Sequence, residues 1–385
     1  MRELKQIVEA FEYMCFAGER AALATVTAVE GSSYRKPGAR MLIAADGRTW
    51  GTVSGGCLEN DVARRGRIVI DSGAAEVCGY ETSEEEDTWV AAATPGPTLG
   101  CGGRIELVIE PVSAKHPGAM TTLCAVVRER RAAAMASIVR VDGSPGPLRV
   151  AQHLSVGDDG EIVGNIDEPE LRQAISQHLR ELSGGTAMLR LPRTGGFADV
   201  LLERLAPPQA IAIFGDGQDV QPLAEMAQFL GWHVMVIGMR AADALRQRFG
   251  GAVAVVSASA DDPTAGMTPL PQDTAVVIMA HHLQHDAAVL RHLLKSPPKY
   301  VGILGSRRRT QRLLELAGAG DAAGHPWLYA PVGLDVGAQT PDQIALAIVA
   351  EIQAVMAARG GGPLRQRSGP IHVPAPPSSI GPCPA

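Results

Sequence analysis

The sequence predicts an α/β protein, with a mixed α+β domain at the N-terminus and a doubly wound parallel sheet at the C-terminus. In the second half of the chain, short apolar runs alternate with helical patterns, which is typical of parallel strands joined by helices. The first half instead carries a hairpin signal and strands of mixed spacing. Apolar residues make up 46% of the 385 residues, so the cores of two or three domains can be buried.

The predicted first part of the chain comprises an N-terminal domain, residues 1–112, and a less regular middle segment, residues 113–206, to which no chemistry is assigned. Apolar residues at helical spacing open the domain, and Asp46-Gly47 is a strong hairpin turn signal. The predicted helices and strands are a helix over 3–18, strands over 21–29, 38–45 and 48–53, a helix from Cys57 to about Ile70, strands near 75–81 and 104–110, and helices near 119–131 and 168–183.

Pro207-Pro208 marks the start of the C-terminal domain, residues 207–358. Its last helix opens with a capping box, in which Thr340 is the N-cap, Pro341 follows and Gln343 is the partner. Residues 359–385 are rich in Gly, Pro and Ser and predict a disordered tail. The predicted strands are 209–215, 233–238, 252–258, 273–280 and 300–305, and the predicted helices are 219–231, 241–249, 285–295, 307–318 and 341–357.

Composition narrows the functional classes. The net charge is −6 and aromatic residues make up 4% of the chain, whereas nucleic-acid proteins usually carry a basic face, so no nucleic-acid partner is expected. No apolar run approaches the roughly 18 residues of a membrane span, and the charged N-terminal segment is unlike a signal peptide. The six cysteines are dispersed, which favours a cytoplasmic protein with reduced thiols and no membrane partner.

The turn Gly215-Asp216-Gly217 follows the first strand of the C-terminal domain, where a Rossmann phosphate loop belongs. The third glycine of the G-x-G-x-x-G motif is replaced by Val220, and Gly238 stands where the ribose-binding acid would end the second strand. The domain is therefore predicted to be Rossmann-like with a weak nicotinamide signal, and a tight turn without a ligand is the alternative.

Two further segments end at the same edge of the predicted sheet, which is where ligands of open α/β sheets bind. His281 and His282 are candidate ligand-binding residues; with His285 they are also possible metal ligands, but local hydrogen bonding is favoured because no second ligand cluster supports a metal. GSRRR, residues 305–309, opens a helix, and we expect it to hold an anionic group. A solvated basic patch is the alternative for GSRRR.

A lone cysteine follows Ser54, Gly55 and Gly56. If Gly56 is the N-cap, Cys57 is the first helical residue, and the helix dipole there favours a thiolate. Glu59 in the same first turn complements that dipole. The glycines leave room for a bulky ligand to approach the backbone.

A second thiol, Cys101, stands in a turn between Gly100 and Gly102-Gly103, just before a strand. With the basic segment that contains Arg40, the two thiol turns predict a site for an anionic, sulfur-seeking ligand, and purely structural turns are the alternative. A zinc site is disfavoured because two further ligands of clear spacing are missing. The remaining periodic cysteines, Cys15, Cys78 and Cys124, are predicted to be core.

These motifs resemble those of a known family. GSSYRKPGARMLI, DGRTWGTVSGGCLENDV and LGCGGRIELVIEPV resemble the N-terminal domain of the XdhC/CoxI family, the accessory factors of xanthine dehydrogenase and related molybdenum hydroxylases. IFGDGQDVQPLAEMAQFLGW, VVIMAHHLQHDAAVLRHLL, YVGILGSRRR and APVGLDVGAQTPDQIALAIVAEI resemble its Rossmann domain. The likeness covers both ends of the chain and skips the middle.

The resemblance implies a maturation factor more than a catalyst in its own right. Such a protein binds the molybdenum cofactor transiently in its molybdopterin form, assists replacement of an oxo ligand by sulfur from a cysteine desulfurase, and inserts the cofactor into a hydroxylase client. Cys57 is the family's SGGC cysteine and Cys101 its CGG cysteine, so these two are the candidate catalytic residues. If family members bind a nucleotide at the GDG turn, the glycine at 238 implies a different mode here.

Two alternatives stay open: a nicotinamide-dependent oxidoreductase that uses the Rossmann-like domain, and a non-catalytic chaperone that only docks the hydroxylase. A homodimer is a further expectation. The candidate cofactor-binding residues are Arg40, Ser54, Gly55, Gly56, Cys57, Glu59, Cys101, Gly102, Gly103, Gly215, Gly217, His281, His282, Gly305, Ser306 and Arg307.

Overall fold

A computed structural model describes residues 2–31, 35–82, 89–91, 94–95, 103–144, 146–251, 253–259, 264, 270–320 and 324–368. The chain forms two compact units that divide at Pro207 and Pro208. Residues 113–206 belong to the same compact unit as the segment before them. The predicted tail lies outside the described residues from 369 onward.

The first unit is built from two antiparallel sheets and the helices that cover them. One sheet has the strand order β3-β2-β1-β7-β4-β5-β6 and the other β10-β9-β8-β12-β11. The elements are α1 (Arg2–Ala17), β1 (Ala21–Gly31), β2 (Arg40–Ala44), β3 (Thr49–Gly51), α2 (Glu59–Ser72), β4 (Glu76–Thr82), β5 (Trp89–Ala91), β6 (Thr94–Pro95), β7 (Gly103–Val112), α3 (Met120–Arg128), β8 (Ala133–Gly143), β9 (His153–Gly157), β10 (Ile162–Gly164), α4 (Pro169–Glu181), β11 (Thr186–Arg193) and β12 (Gly196–Leu205).

Alternation along β1 places apolar side chains on both faces of the first sheet. Leu23 packs with α1 and α3 on one face, and Ala22 packs with α2 on the other. Gly66 lets α2 approach closely, because a Cβ there would stand 2.5 Å from the Cδ1 atom of Ile43. The second sheet buries one face under α4. The helix α2 is thereby fixed against the first sheet, and its N-terminal end presents the loop that contains Cys57.

Buried polar contacts join the two sheets of the first unit. A buried ion pair links Arg40 of β2 to Glu203 of β12, with 2.5 Å between Nη2 and Oε2. A second contact runs from Glu110 of β7 to His153 of β9, with 2.9 Å between Oε2 and Nε2. The other ring nitrogen of His153 lies 2.9 Å from the hydroxyl of Ser137. Buried polar contacts thus connect the middle segment to the first sheet.

The second unit contains a six-stranded parallel sheet of order β15-β14-β13-β16-β17-β18, the doubly wound order of a Rossmann fold. The elements are β13 (Ala210–Phe214), α5 (Val220–Phe229), β14 (His233–Gly238), α6 (Ala242–Phe249), β15 (Ala254–Ser257), β16 (Thr274–Ile278), α7 (Leu283–Leu293), β17 (Tyr300–Ile303), α8 (Arg307–Ala317), β18 (Leu328–Tyr329), α9 (Pro341–Met356) and a 3-10 helix (Leu364–Gln366).

Both faces of this sheet are buried, as the continuous apolar strands require. Ile211 and Ile213 of β13 pack on one side, and Ala212 and Phe214 pack on the other. The structure confirms the predicted fold class and also the capping box at Thr340. The strand order reverses between β13 and β16, so a crevice is expected where their carboxyl ends diverge.

Candidate functional site

The loop before α2 is held by the carboxylate of Glu59. Its Oε1 atom accepts hydrogen bonds from the backbone N–H groups of residues 53, 54 and 55, and its Oε2 atom accepts from those of residues 56 and 58, all within 2.9–3.2 Å. The Ser54 hydroxyl donates to Oε2 at 2.6 Å. The N–H groups that a bound anion would need are therefore already satisfied by the side chain of the first residue of α2.

These contacts alter the acidity of Glu59. Burial opposes ionisation, but the hydrogen bonds from the Ser54 hydroxyl and from the backbone outweigh it and lower the pKa from 4.5 to about 2. Gly55 and Gly56 adopt φ angles of 135° and 124°, which residues with a Cβ rarely adopt. The glycines are thus needed for the turn that wraps the carboxylate.

The predicted start of α2 was wrong by two residues. The helix begins at Glu59 with Leu58 as its N-cap, so neither Gly56 nor Cys57 has the predicted position. The N–H groups of Cys57 and Leu58 donate instead to the hydroxyl of Ser54, at 3.1 and 3.0 Å. The side-chain hydrogen bonds of Ser54 and Glu59 override the simple capping pattern.

Cys57 is a free, partly exposed thiol next to this fixed loop. The other described cysteines differ in environment: burial raises the pKa of Cys78 and of Cys124 to about 12, and it also raises that of Cys15. Cys78 is buried as predicted, while Cys15 and Cys124 are partly exposed and pack at the edge of the core. These three thiols stay protonated at neutral pH.

Two other predicted parts of this site have different outcomes. Arg40 was predicted to bind the ligand, but its side chain is buried and engaged by Glu203 and by the carbonyl of Gly38. Its guanidinium therefore joins the sheets and does not face a ligand. Cys101 and Gly102 lie outside the described residues, and Gly103 is the first residue of β7, paired with Gly31 of β1.

In the second unit, the carboxyl ends of β13, β14 and β16 surround a cavity of about 310 Å³. Gly215 lines it and has a φ of 147°. A Cβ at Gly215 would stand 2.7 Å from the carbonyl oxygen of Met279, so only glycine permits this approach of the first strand to the fourth. The cavity is lined by Gly215, Asp216, Ile237, Gly238, Met239, Ala280, His282, Gln284, His285 and Ala288.

The three histidines near this cavity have distinct roles. His281 adopts a φ of 61°, and its Nε2 atom lies 2.7 Å from a carboxylate oxygen of Asp219. His282 is the N-cap of α7, and its Nδ1 atom accepts from the backbone N–H of His285 at 3.3 Å. Local hydrogen bonding of His281 and His282 is therefore what the structure shows. His282 and His285 line the cavity, whereas Gly217 and His281 do not.

The GSRRR turn lies at the end of β17 and does not line that cavity. The Ser306 hydroxyl caps α8 by accepting from the backbone N–H of Arg309 at 3.3 Å, and Gly305 has a φ of 143°. The guanidinium of Arg309 contacts the fully buried carboxylate of Asp286 at 2.5 Å. Arg307 is exposed. One of the three arginines thus has a structural role in the interior.

A second cavity, of about 800 Å³, lies in the first unit and was not foreseen from the sequence. Its wall includes Glu110 and His153, which join the two sheets, and its exposed cations include Lys115 and Arg149. Glu110 and His153 come from strands that are far apart in the chain, so the contact between them is not apparent from local sequence patterns.

The part of the chain that the structure describes contains no cluster of three or more His, Cys, Asp or Glu residues suited to a metal ion. None of the described helices has the length and apolar content to cross a membrane.

The parallel sheet of Rossmann order and the antiparallel unit that carries the Cys57 loop are the architecture of a known class of proteins, and the chain belongs to the XdhC and CoxI family. The family model matches residues 15–81 and 126–192, and the model of the XdhC Rossmann domain matches residues 211–352. The match extends into the middle segment, which the sequence motifs alone did not cover.

Named relatives span most of the chain. It is 31% identical to a Bacillus subtilis protein named as a probable xanthine dehydrogenase subunit, over 87% of this chain and 92% of that protein. It is 26% identical to the molybdenum cofactor insertion chaperone PaoD of Escherichia coli, over 88% and 84% of the two chains. A crystal structure described as a xanthine dehydrogenase from Bacillus halodurans matches with a TM-score of 0.69 at 28% identity, covering 92% of this chain and 96% of that one.

Proposed function

We propose that this chain binds the molybdenum cofactor transiently and assists its insertion into a molybdenum hydroxylase client of the xanthine dehydrogenase type. The family supports the proposal, and so does the name of the relative PaoD, a molybdenum cofactor insertion chaperone. The observation that carries it is Cys57, a partly exposed thiol on a loop whose shape is fixed by the carboxylate of Glu59. The cofactor is cargo here, because it must leave with the client.

The residues present suit such a cargo. Cysteine sulfur is a soft ligand of the kind that sulfur-bound metals accept, and Cys57 lies on a loop with open space beside Gly56, where a Cβ would meet no atom within 4 Å. Glu59 was predicted to contact the cofactor, but its carboxylate is saturated by the loop, so we assign it the positioning of Cys57. Ser54 has the same positioning role through its hydroxyl.

The finer steps of the proposal concern sulfur. We propose that a cysteine desulfurase supplies the sulfur that replaces an oxo ligand of the cofactor, and that Cys57 and Cys101 hold the cofactor during this exchange. The cytoplasm is the proposed compartment, because both thiols need to stay reduced. A homodimer stays a prediction.

The test replaces Cys57 with Ser in the full chain, produced in cells that make the cofactor. Molybdenum and pterin retained per chain, and activation of the cofactor-free client, are measured. We expect cofactor retention to fall about tenfold, equivalent to about 1.4 kcal/mol of binding free energy. Cys124→Ser is the matched control, because its thiol is protonated and packs against the core.

The outcome separates the proposal from its alternatives. Retention and client activation that both stay at the wild-type level in Cys57→Ser would rule out a role for this thiol. A wild-type chain that activates its client without ever carrying pterin would instead support a chaperone that only docks the hydroxylase.

A further inference from the structure

The cavity of the second unit contains an acid in the place where the sequence motif lacks one. In the standard dinucleotide-binding fold, an acidic residue at the end of the second strand accepts hydrogen bonds from the hydroxyl groups of a ribose. Here β14 ends in Gly238, and the space beside it is filled by the side chain of Asp216 from the first loop. A Cβ at Gly238 would stand 2.8 Å from both the Cβ and the Oδ2 atoms of Asp216.

Backbone hydrogen bonds hold this carboxylate at the end of β14. Its Oδ2 atom accepts from the N–H groups of Met239 and Arg240, at 2.9 and 3.1 Å. The side chain is 21% exposed and lines the cavity. Oδ1 has no hydrogen-bond donor among the described residues, so it is available to accept from a hydroxyl of a ligand. The acid that the strand lacks is therefore provided by the loop.

A second polar group of the cavity wall is unsatisfied. His285 is 7% exposed, and neither of its ring nitrogens has a hydrogen-bond partner within the described ranges. Burial lowers the pKa of His285, so the ring is neutral at pH 7 and offers one donor and one acceptor. Buried polar groups are nearly always paired in native proteins, which points to a ligand that carries both kinds of group.

The rest of the cavity suits a nucleotide. Ile237, Met239, Ala280 and Ala288 give it apolar walls, against which a flat heterocycle can pack. At its rim, α5 begins after the Gly215–Gly217 turn, and no side chain caps its N-terminus, because the carboxylate of Asp219 contacts His281 instead. The N–H of Val220 donates to the carbonyl of Gly217 at 3.3 Å, and the other N–H groups in the first turn of this ten-residue helix are suited to a phosphate.

We propose that this cavity binds a 5′-ribonucleotide, with its ribose hydroxyls on Asp216, its base beside His285 and its phosphate at the Gly215–Gly217 turn. A free nucleotide and the nucleotide half of a pterin cofactor share this chemistry. The cofactor as the natural source rests on the proposed function, whereas the ribonucleotide site itself does not.

The first arm measures binding of ADP, GDP, CDP and UDP to the full chain by calorimetry, each beside its 2′-deoxy counterpart. At least one ribonucleotide should bind, and its deoxy form should bind about tenfold more weakly, the loss expected for a hydrogen bond to a charged group. Asp216→Asn should abolish this preference for ribose. Asp243→Asn, an exposed acid on α6 away from the cavity, should keep it.

The second arm moves the acid. Gly238→Asp alone places two side chains in one space and should lower the thermal unfolding midpoint, whereas Asp216→Gly combined with Gly238→Asp relieves the overlap and puts the carboxylate at the end of β14. The double variant should regain the ribose preference that Asp216→Gly loses. A folded double variant without that preference contradicts the assignment of Asp216.

The third arm identifies the source. Nucleotide released from the purified chain together with an equal amount of pterin indicates the cofactor, and nucleotide without pterin indicates a free ligand; both support the site. No binding of any ribonucleotide, or equal binding of ribo and deoxy forms, overturns it. Those results leave the proposed function untouched, because cofactor retention at Cys57 is measured separately.

Discussion

The carboxylate of Glu59 is the residue on which the shape of the cysteine loop depends. Five backbone N–H groups and one hydroxyl converge on it. Without this acceptor, the N–H groups of a glycine-rich turn would face one another with no common partner. The thiol of Cys57 is thus positioned by a neighbour two residues along the chain, through hydrogen bonds that reach back over the loop.

Glu59→Gln tests this role through stability and its dependence on pH. The folded-state pKa of about 2 lies below the ordinary 4.5, so the stabilisation is complete above pH 4.5 and is lost as the pH falls towards 2. At neutral pH the substitution should lower the free energy of unfolding by about 1–3 kcal/mol, the cost of losing hydrogen bonds to a charged acceptor.

The measurement is denaturant unfolding of wild type and Glu59→Gln between pH 2 and 7, with cofactor retention as a second readout. The wild-type stability should decline more steeply than that of the variant over the acid window. Parallel profiles with equal stability at pH 7 would show that the loop holds its shape without the charge.

At the scale of elements, Arg309 and Asp286 join α8 to α7 beneath the carboxyl edge of the parallel sheet. The carboxylate is fully buried, and only Oδ2 has a partner, because Oδ1 is unsatisfied among the described residues. Arginines at a helix N-terminus oppose the helix dipole. For Arg309 that cost is offset by the buried acid that it neutralises.

Arg309→Ala should therefore destabilise the protein by roughly 3 kcal/mol, because a buried carboxylate is left without its cation. Arg307→Ala is the matched control on the same turn: its side chain is exposed, so we expect stability within about 0.5 kcal/mol of wild type. Thermal unfolding of both variants measures this difference. Equal stability of the two variants would contradict an interior role for Arg309.

The binding of an anion by the arginine turn stays a prediction, and the two variants separate it from the structural role of Arg309. Arg307→Ala should weaken cofactor binding while leaving the fold intact, and added inorganic phosphate should compete with the cofactor in the wild type. Wild-type cofactor binding by Arg307→Ala at low salt would mean that the basic turn is only a solvated surface.

Most elements of the second unit could be predicted from the sequence, because continuous apolar strands and amphipathic helices alternate there with strong local signals. The helix α7 begins two residues earlier than predicted, because the side chain of its N-cap, His282, accepts a hydrogen bond from a backbone N–H. The start of α2 was misplaced for a similar reason, through Ser54 and Glu59. Local patterns thus locate an element, but side-chain hydrogen bonds decide where it begins.

The site was less predictable than the fold because its key contacts connect distant segments. Arg40 pairs with Glu203, 163 positions away, and no local pattern announces that pairing. In the sequence, Asp216 is the central residue of the GDG turn, and Gly238 stands where the motif has a ribose-binding acid. The register in which β13 pairs with β14 is what brings the side chain of Asp216 next to Gly238, where it can take the place of the missing acid.

For the whole molecule, the proposed role of Asp216 gives the Rossmann-like unit an acceptor for a ribose, while the nicotinamide signal of its sequence stays weak. If Asp216 accepts hydrogen bonds from a ribose, the glycine at 238 no longer argues against a nucleotide. The third glycine of the motif is still replaced by Val220, whose side chain is fully buried. A cavity of about 310 Å³ lies at the lower end of the roughly 300–1,000 Å³ range of small-molecule sites, enough for one nucleoside.

We therefore expect NADH and NADPH to bind no more tightly than ADP, since their second nucleoside would lie outside the cavity, and we expect neither to be oxidised. Calorimetry gives the affinities, and the near-ultraviolet absorbance of the reduced nicotinamide follows turnover with the full chain. Affinity for NADH about tenfold above that for ADP, a gain of about 1.4 kcal/mol, would show that both nucleosides are recognised. Such a gain together with oxidation of NADH in the presence of any substrate would restore the oxidoreductase as the function of this unit.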